Sequence, residues 1–283
     1  MSAITTTDVA NQVQKFWSPL FTKELRESLL LGGLVNKDYQ GQIQAMGDRV
    51  RVSEINAPAG ALKTVGTDAD SFTTDSLTTQ YIDITANKRA VAAFEFASLV
   101  DLQSQIGAQN SEIRAALLFA VEKQINDYLY SLVVPHSTHV IASTANLDAS
   151  VLLDVRGKAA KAKWLRDKGW WGLINPDYMN DLLGTTSMVN SQYVGQDAPT
   201  VGGQIATPRF GFNILEDNSR TAASGIFFHP DFMHLVTQTQ ATFKVSDLHS
   251  NLKFGYVISV DLIFGASLGI NGNKKVVQVK AAA

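Results

Sequence analysis

Apolar residues recur every three or four positions over 110–134, where Ile113, Leu117, Val121, Ile125, Tyr128, Leu129 and Leu132 mark one face of a helix. Asn110 or Ser111 offers a cap and Pro135 a stop, so this stretch is predicted as the longest helix of the chain. A second helix is expected from Leu147 to about Leu165, and a short one over "PDYMNDLLG", with Pro176 near its start. "GDRVRVSEI" (47–55) and "YIDIT" (81–85) instead alternate with the period of two that a half-buried strand requires. "GWWGLINP" (169–176) and "GFNILEDN" (211–218) read as strands, and "GIFFHPDFMHLVTQ" (225–238) as a strand passing into a turn of helix.

The least polar run is 254–270, whose one charge is Asp261. A bilayer span is excluded, because Gly255, Gly265 and Gly269 interrupt it and Asp261 would lie near the bilayer centre at about 2.5–3.5 kcal/mol. Val257, Ile258, Val260, Ile263 and Phe264 favour a pleated surface, so a long buried strand is expected. Asn271-Gly272 before "KKVVQVK" predicts a glycine bend and a closing hairpin.

Two segments lack material for a core. At the amino end, "TTTDVANQVQKFW" places Val9, Val13, Phe16 and Trp17 at helical spacing; Ser18-Pro19 restarts the pattern with Leu20, Phe21, Leu25, Leu29 and Leu30, and Gly32-Gly33 is expected to end it. This arm either packs on its own domain or reaches a neighbouring subunit, and the residues leave both open. Between strands 47–55 and 81–85 lie some 25 residues rich in Gly, Thr and Asp, in which Leu62, Val65, Phe72 and Leu77 are the sizeable apolar side chains. A loop of that length is predicted to project from the body. Residues 185–208 read as a glycine-rich polar surface loop.

With 283 residues, 45% hydrophobic and 18% charged, the chain has ample core material for one large or two modest domains. A net charge of −2 supplies no global field for nucleic acid. The absence of cysteine excludes disulfides and thiol chemistry, and "MSAITTTDVANQ" has no secretory pattern, so an intracellular product is expected.

No catalytic constellation emerges. His229 and His234 lie five apart rather than the four that place zinc ligands on one helix face, and His136 and His139 follow the long helix; all read as ordinary surface or half-buried histidines. Asp68, Asp70 and Asp75 lack the glycine and the closing glutamate of a calcium loop. "GNKK" lacks the spacing of a phosphate loop. The six basic residues of 156–168 spread around more than one helix face, as on a solvated helix; a subunit or weak nucleic-acid contact is the lesser alternative. No cofactor or metal is expected.

The order of these features resembles the major capsid proteins of tailed bacteriophages, which share the Hong-Kong-phage shell fold with encapsulins. The resemblance rests on "WGLINPDYMNDLLG", on "GQIATPRFGFNILEDN", and on "FFHPDFMHLVTQ" followed by "FGYVISVDLIFGASL". It implies an α+β shell fold. Residues 1–47 would be an amino-terminal arm, 48–90 an extended β-loop, and 91–145 with 235–283 a peripheral domain containing the spine helix 110–134. Residues 146–234 would be an axial domain. The implied function is self-assembly, through hexamers and pentamers, into an icosahedral shell enclosing double-stranded DNA, with a separate scaffolding protein and a portal as partners and no membrane. The virion would be its place, after assembly in the bacterial cytoplasm. Phe16, Trp17 and Phe21 of the arm and Leu62, Lys63 and Phe72 of the loop are the expected subunit-interface residues. Some family members join loops through a Lys–Asn isopeptide; Lys63 lies in the loop, but no partner Asn or catalytic acid matches, so no crosslink is assigned. An encapsulin-like compartment shares the fold, and a soluble oligomeric enzyme is the weaker alternative.

Overall fold

The computed structural model describes residues 26–42, 49–60, 62, 74–97, 111–142, 146–190, 200–201, 204–205, 208–220, 224–238, 241–249 and 253–281. After a single helical turn, α1 (Leu31–Leu34), the chain forms β1 (Arg49–Ile55), β2 (Thr79–Thr85) and β3 (Lys88–Ala97), then the long helix α2 (Ser111–Ser131). Next come β4 (Val140–Ile141), α3 (Ala149–Lys161), β5 (Trp170–Ile174), α4 (Pro176–Gly184) and α5 (Thr186–Val189). The rest is strand: β6 (Thr200–Val201), β7 (Gln204–Ile205), β8 (Phe212–Glu216), β9 (Ser224–Phe228), β10 (Met233–Thr237), β11 (Thr242–Asp247), β12 (Gly255–Leu268) and β13 (Val276–Lys280). The mixture of helices and antiparallel strands is the expected α+β class.

β12 is the axis of the first sheet. β3 pairs along one side of it, and β10 and β11 pair in succession along the other. The helix α2 lies against the inner face of this sheet. Its Leu117, Val121 and Leu129 are buried together with Ile258, Val260 and Phe264 of β12. This is the buried strand anticipated for 254–270, and Asp261 takes the opposite face. There its carboxylate meets Lys244 at 3.1 Å and Arg89 at 3.9 Å.

The second sheet has the order β4-β13-β9-β5-β8, with β5 and β8 parallel and β5 and β9 antiparallel. Trp164, Trp170, Phe212 and Phe227 form an edge-to-face aromatic cluster on one side of it. Both indoles are anchored, Trp164 Nε1 donating to the Lys274 carbonyl at 2.7 Å and Trp170 Nε1 to the Leu165 carbonyl at 2.6 Å. α3 starts where Asp148 accepts the Val151 N–H, and α4 starts where Asn175 accepts the Tyr178 N–H ahead of Pro176. Leu173, Ile226, Phe228 and Val276 of this sheet also line the core beneath α2, which joins the sheets into one body.

Several local expectations are corrected. Gly32 and Gly33 lie inside α1 rather than ending a helix. α3 ends at Lys161, and the chain then folds back to bury Trp164, so the six basic residues do not share one helix. The segment 185–208 is not wholly loop, since α5 and the small β6–β7 hairpin lie within it. Segment 225–238 continues past its helical turn, Pro230–Phe232, into a second strand, β10. The closing hairpin is absent. Asn271 does adopt the left-handed conformation expected of the Asn-Gly turn (φ 56°), but β12 and β13 leave it for different sheets. Gly272 is pressed against the body, where a Cβ would lie 2.2 Å from the Phe232 carbonyl oxygen.

Among the described residues no helix is long and apolar enough to cross a membrane.

Candidate functional site

β1 and β2 pair antiparallel over seven residues each, from Arg49 opposite Thr85 to Ile55 opposite Thr79. Near its base the hairpin is rooted, for Val50, Val52, Ile82 and Ile84 pack on Tyr39 and Val236. The other face carries Arg51, whose guanidinium donates to both oxygens of Asp83 at 2.8 and 2.9 Å and lies 4.3 Å from the Tyr81 ring centre. The Arg51 hydrogen bond holds the Asp83 carboxyl below the usual carboxylate range. Further out, the described part of the hairpin is open to solvent. Residues 56–60 and 74–78 are exposed throughout, with Ile55 65%, Leu77 74% and Leu62 104% accessible. Large exposed apolar side chains on such an element form a candidate contact surface. Of the six expected interface residues only Leu62 is described; Phe16, Trp17, Phe21, Lys63 and Phe72 lie outside the described residues.

The amino-terminal segment is tied along α2. Arg26 Nη1 donates to the Ala115 carbonyl at 3.2 Å, and its guanidinium covers the Phe119 ring at 5.1 Å. Glu27 pairs with Lys123 at 2.6 Å. Beyond α1 the chain runs as a strap beside β10, with Asn36 N–H donating to the Met233 carbonyl and Leu235 N–H donating to Asn36.

At the root of the hairpin a polar knot joins this strap to the α3–β5 turn and the β9–β10 corner. Lys168 Nζ bridges Asp38 at 2.7 Å and Asp231 at 3.1 Å. The Asn36 amide donates to Asp38 and also to Asp231. His229 accepts the Asp231 N–H at Nδ1, which leaves Nε2 as the donor to Asp167 at 3.0 Å. A cleft of about 220 Å³ lies between this knot and Val52, Ser53 and Glu54 of β1.

The electrostatics follow from these contacts. Lys168 holds Asp38 below the ordinary carboxylate range, and His229 does the same for Asp167. Burial alone would raise Asp231, but hydrogen bonds from Asn36 and Lys168 outweigh it and the net direction is down. The hydrogen bond to Asp38 raises Lys168. Burial pushes His234 down and keeps it neutral.

Asp167, His229 and Asp231 bring ligand-type atoms within 4.8 Å of one another. Both imidazole nitrogens are already engaged, and the Lys168 ammonium sits on Asp231 as the local cation. The knot therefore fastens three chain segments under the hairpin. Sequence reasoning missed it and misjudged the histidines, since His229 and His234 are 2% and 6% exposed. The one available signal was "HPD", in which His229 caps a helical turn.

No protein-family model and no curated protein matches the sequence. Solved structures do match over nearly the whole chain. A structure from Mycobacterium phage Che8 superposes with a TM-score of 0.76 at 17% identity, covering 94% of this chain and 96% of its own. The capsid structure of cyanophage P-SCSP1u gives 0.74 at 12% identity, covering 97% and 94%. The capsid asymmetric unit of cyanophage Pam1 gives 0.69 at 13% identity, covering 98% and 97%. The fold is thus the phage capsid shell fold that the sequence pattern resembles.

Proposed function

We propose, with the phage capsid shell fold as premise, that this chain is a major capsid protein. It polymerises through hexamers and pentamers into an icosahedral shell around double-stranded DNA, which it contacts non-specifically. Its role is structural rather than enzymatic. The observation that carries this reading is the pairing of that fold with a rooted hairpin whose outer part exposes Ile55, Leu62 and Leu77. A monomer has no use for such a surface, whereas a polymerising subunit has. In this reading 1–47 form the arm and 48–90 the extended loop, with 91–145 and 235–283 peripheral and 146–234 axial. Phe16, Trp17, Phe21, Leu62, Lys63 and Phe72 meet neighbouring subunits. A separate scaffolding protein and a portal complete the assembly, which takes place in the bacterial cytoplasm and ends in the virion.

Electron microscopy of negatively stained protein, expressed with and without the neighbouring phage genes, tests this. Shells, tubes or capsomers are expected. Protein that sediments only as a monomer at high concentration in both cases refutes it. Closed shells that package a cargo enzyme and no DNA would move the assignment to an encapsulin-like compartment.

A further inference from the structure

Of the buried residues of α2, Leu117, Val121 and Leu129 are apolar and Asn126 is not. The Asn126 side chain is as secluded as its neighbours, at 2% exposure. Neither its amide nitrogen nor its amide oxygen has a hydrogen-bond partner among the described residues. A carboxamide buried in this way forfeits the hydration of a donor and of an acceptor together, so native proteins rarely leave one unpaired.

Asn126 lines a cavity of about 310 Å³ enclosed by α2, by α1 with its flanking residues, and by β10. Leu29, Ile125 and Leu235 give it apolar walls. Gly33 also lines it, and a Cβ there would meet nothing within 4 Å among the described residues, so packing does not close that side. Lys37 and Glu122, both exposed, bring one charge of each sign.

This composition selects a class of ligand. Small-molecule sites are mostly apolar, with a few placed polar groups that fix orientation, and this cavity lies at the small end of their size range. A lone ion is a poor fit, because either sign would meet a like charge as well as an opposite one. Asn126 instead calls for an acceptor and a donor side by side.

We propose that the cavity binds a small neutral molecule whose edge pairs a hydrogen-bond donor with an acceptor, as a primary carboxamide does, on a compact apolar body. The ligand carbonyl accepts from the Asn126 Nδ2–H, and the ligand N–H donates to Asn126 Oδ1. The apolar body lies against Leu29, Ile125 and Leu235. Because α1 forms one side of the cavity and α2 with β10 the other, occupancy fastens the α1 segment to the body. This site goes beyond the shell-forming reading and does not depend on it.

Benzamide is the probe, titrated calorimetrically into the full chain. A dissociation constant of about 1 mM or tighter is expected. N,N-dimethylbenzamide keeps the ring and the carbonyl but has no donor, and should bind about tenfold or more weakly. Asn126→Leu keeps the size of the side chain and should weaken benzamide by a similar factor while strengthening toluene. Hydrogen exchange across residues 29–37 should slow severalfold when benzamide is added to the wild type, which locates the ligand. Wild-type protein that ignores benzamide up to about 10 mM, or takes both benzamides equally, overturns the proposal. So does an Asn126→Leu chain that binds benzamide as the wild type does, or bound benzamide that leaves exchange at 29–37 unchanged. The analogue comparison uses wild-type protein, so it decides even where the variant fails to fold. None of these measurements involves assembly, so each negative result leaves the shell reading standing.

Discussion

Gly265 marks where the hairpin is seated on the body, and an alanine there should unseat it. A Cβ at this position would lie 2.2 Å from the Thr85 carbonyl oxygen, 2.6 Å from its carbon and 2.9 Å from the Ala86 Cα. All three are backbone atoms, so no rotamer change relieves the overlap. The end of β2 must retreat from β12 by about 1 Å. That movement loosens Ile84 and Val236, both fully buried at the hairpin root. Overpacking of this kind costs about 1–3 kcal/mol. At a urea slope of about 3 kcal/mol per M, a loss of 2 kcal/mol lowers the unfolding midpoint by about 0.7 M. Gly33→Ala is the control, since nothing lies within 4 Å of a Cβ there and the position is helical. It should leave stability unchanged or raise it by about 0.4–1 kcal/mol. Urea melts followed by circular dichroism, together with trypsin cleavage near Arg49 and Arg51, read both quantities. A Gly265→Ala chain with wild-type midpoint and wild-type trypsin resistance refutes the proposed seat.

Replacing residues 60–76 with a short Asn-Gly turn should keep the subunit within about 0.5 kcal/mol of wild type and abolish closed shells, as measured by melting and sedimentation; an unfolded product would show that the loop belongs to a core. Asn126 is 2% exposed on α2 and neither of its amide atoms has a hydrogen-bond partner among the described residues, so Asn126→Leu should stabilise by about 1–3 kcal/mol, and a destabilised variant would contradict that description. Asp38, Asp167 and Asp231 are all held below their ordinary range, so the stability they contribute is complete above about pH 4 and is lost as pH falls below it. His234, held neutral by burial, adds an earlier loss as pH falls through about 6.5. Burial pushes His139 down as well, so urea midpoints from pH 8 to pH 3 should show both phases, with His234→Leu shrinking the first and keeping the second.

Periodicity made much of this fold legible. Leu117, Val121 and Leu129 reach the core as the helical spacing requires, and the alternation of 47–55 and 81–85 predicted two strands joined by a long excursion, which pair as β1 and β2. Alternation identifies a strand but not its partner. The run 276–280 was readable as a strand, yet only tertiary packing sends it to β9 and β4 instead of β12. The knot was illegible for a similar reason. Asn36, the adjacent Asp167 and Lys168, and Asp231 come from three distant parts of the chain, and ion pairs obey no sequence period. Asn126 hides on the buried face of α2, where the neighbouring apolar residues dominate the pattern.

In the shell-forming reading, subunit stability and assembly fall to different parts of the chain. The body buries its apolar surface and satisfies two of its sheet edges from within, through the strap at Asn36 and the carboxamide of Gln124. Among the described residues, the outer hairpin leaves the large apolar side chains of Ile55, Leu62 and Leu77 exposed. Electrostatic steering contributes little, because a net charge of −2 gives a weak field and physiological salt screens it within about 8 Å. In the shell-forming reading, direction and register must then come from short-range contacts, which an apolar patch alone does not define. Apolar cover without a defined edge would let neighbouring copies slip by two residues and still bury the same area. An edge that offers hydrogen bonds only at alternate residues restricts the permitted registers, and a closed shell needs that restriction.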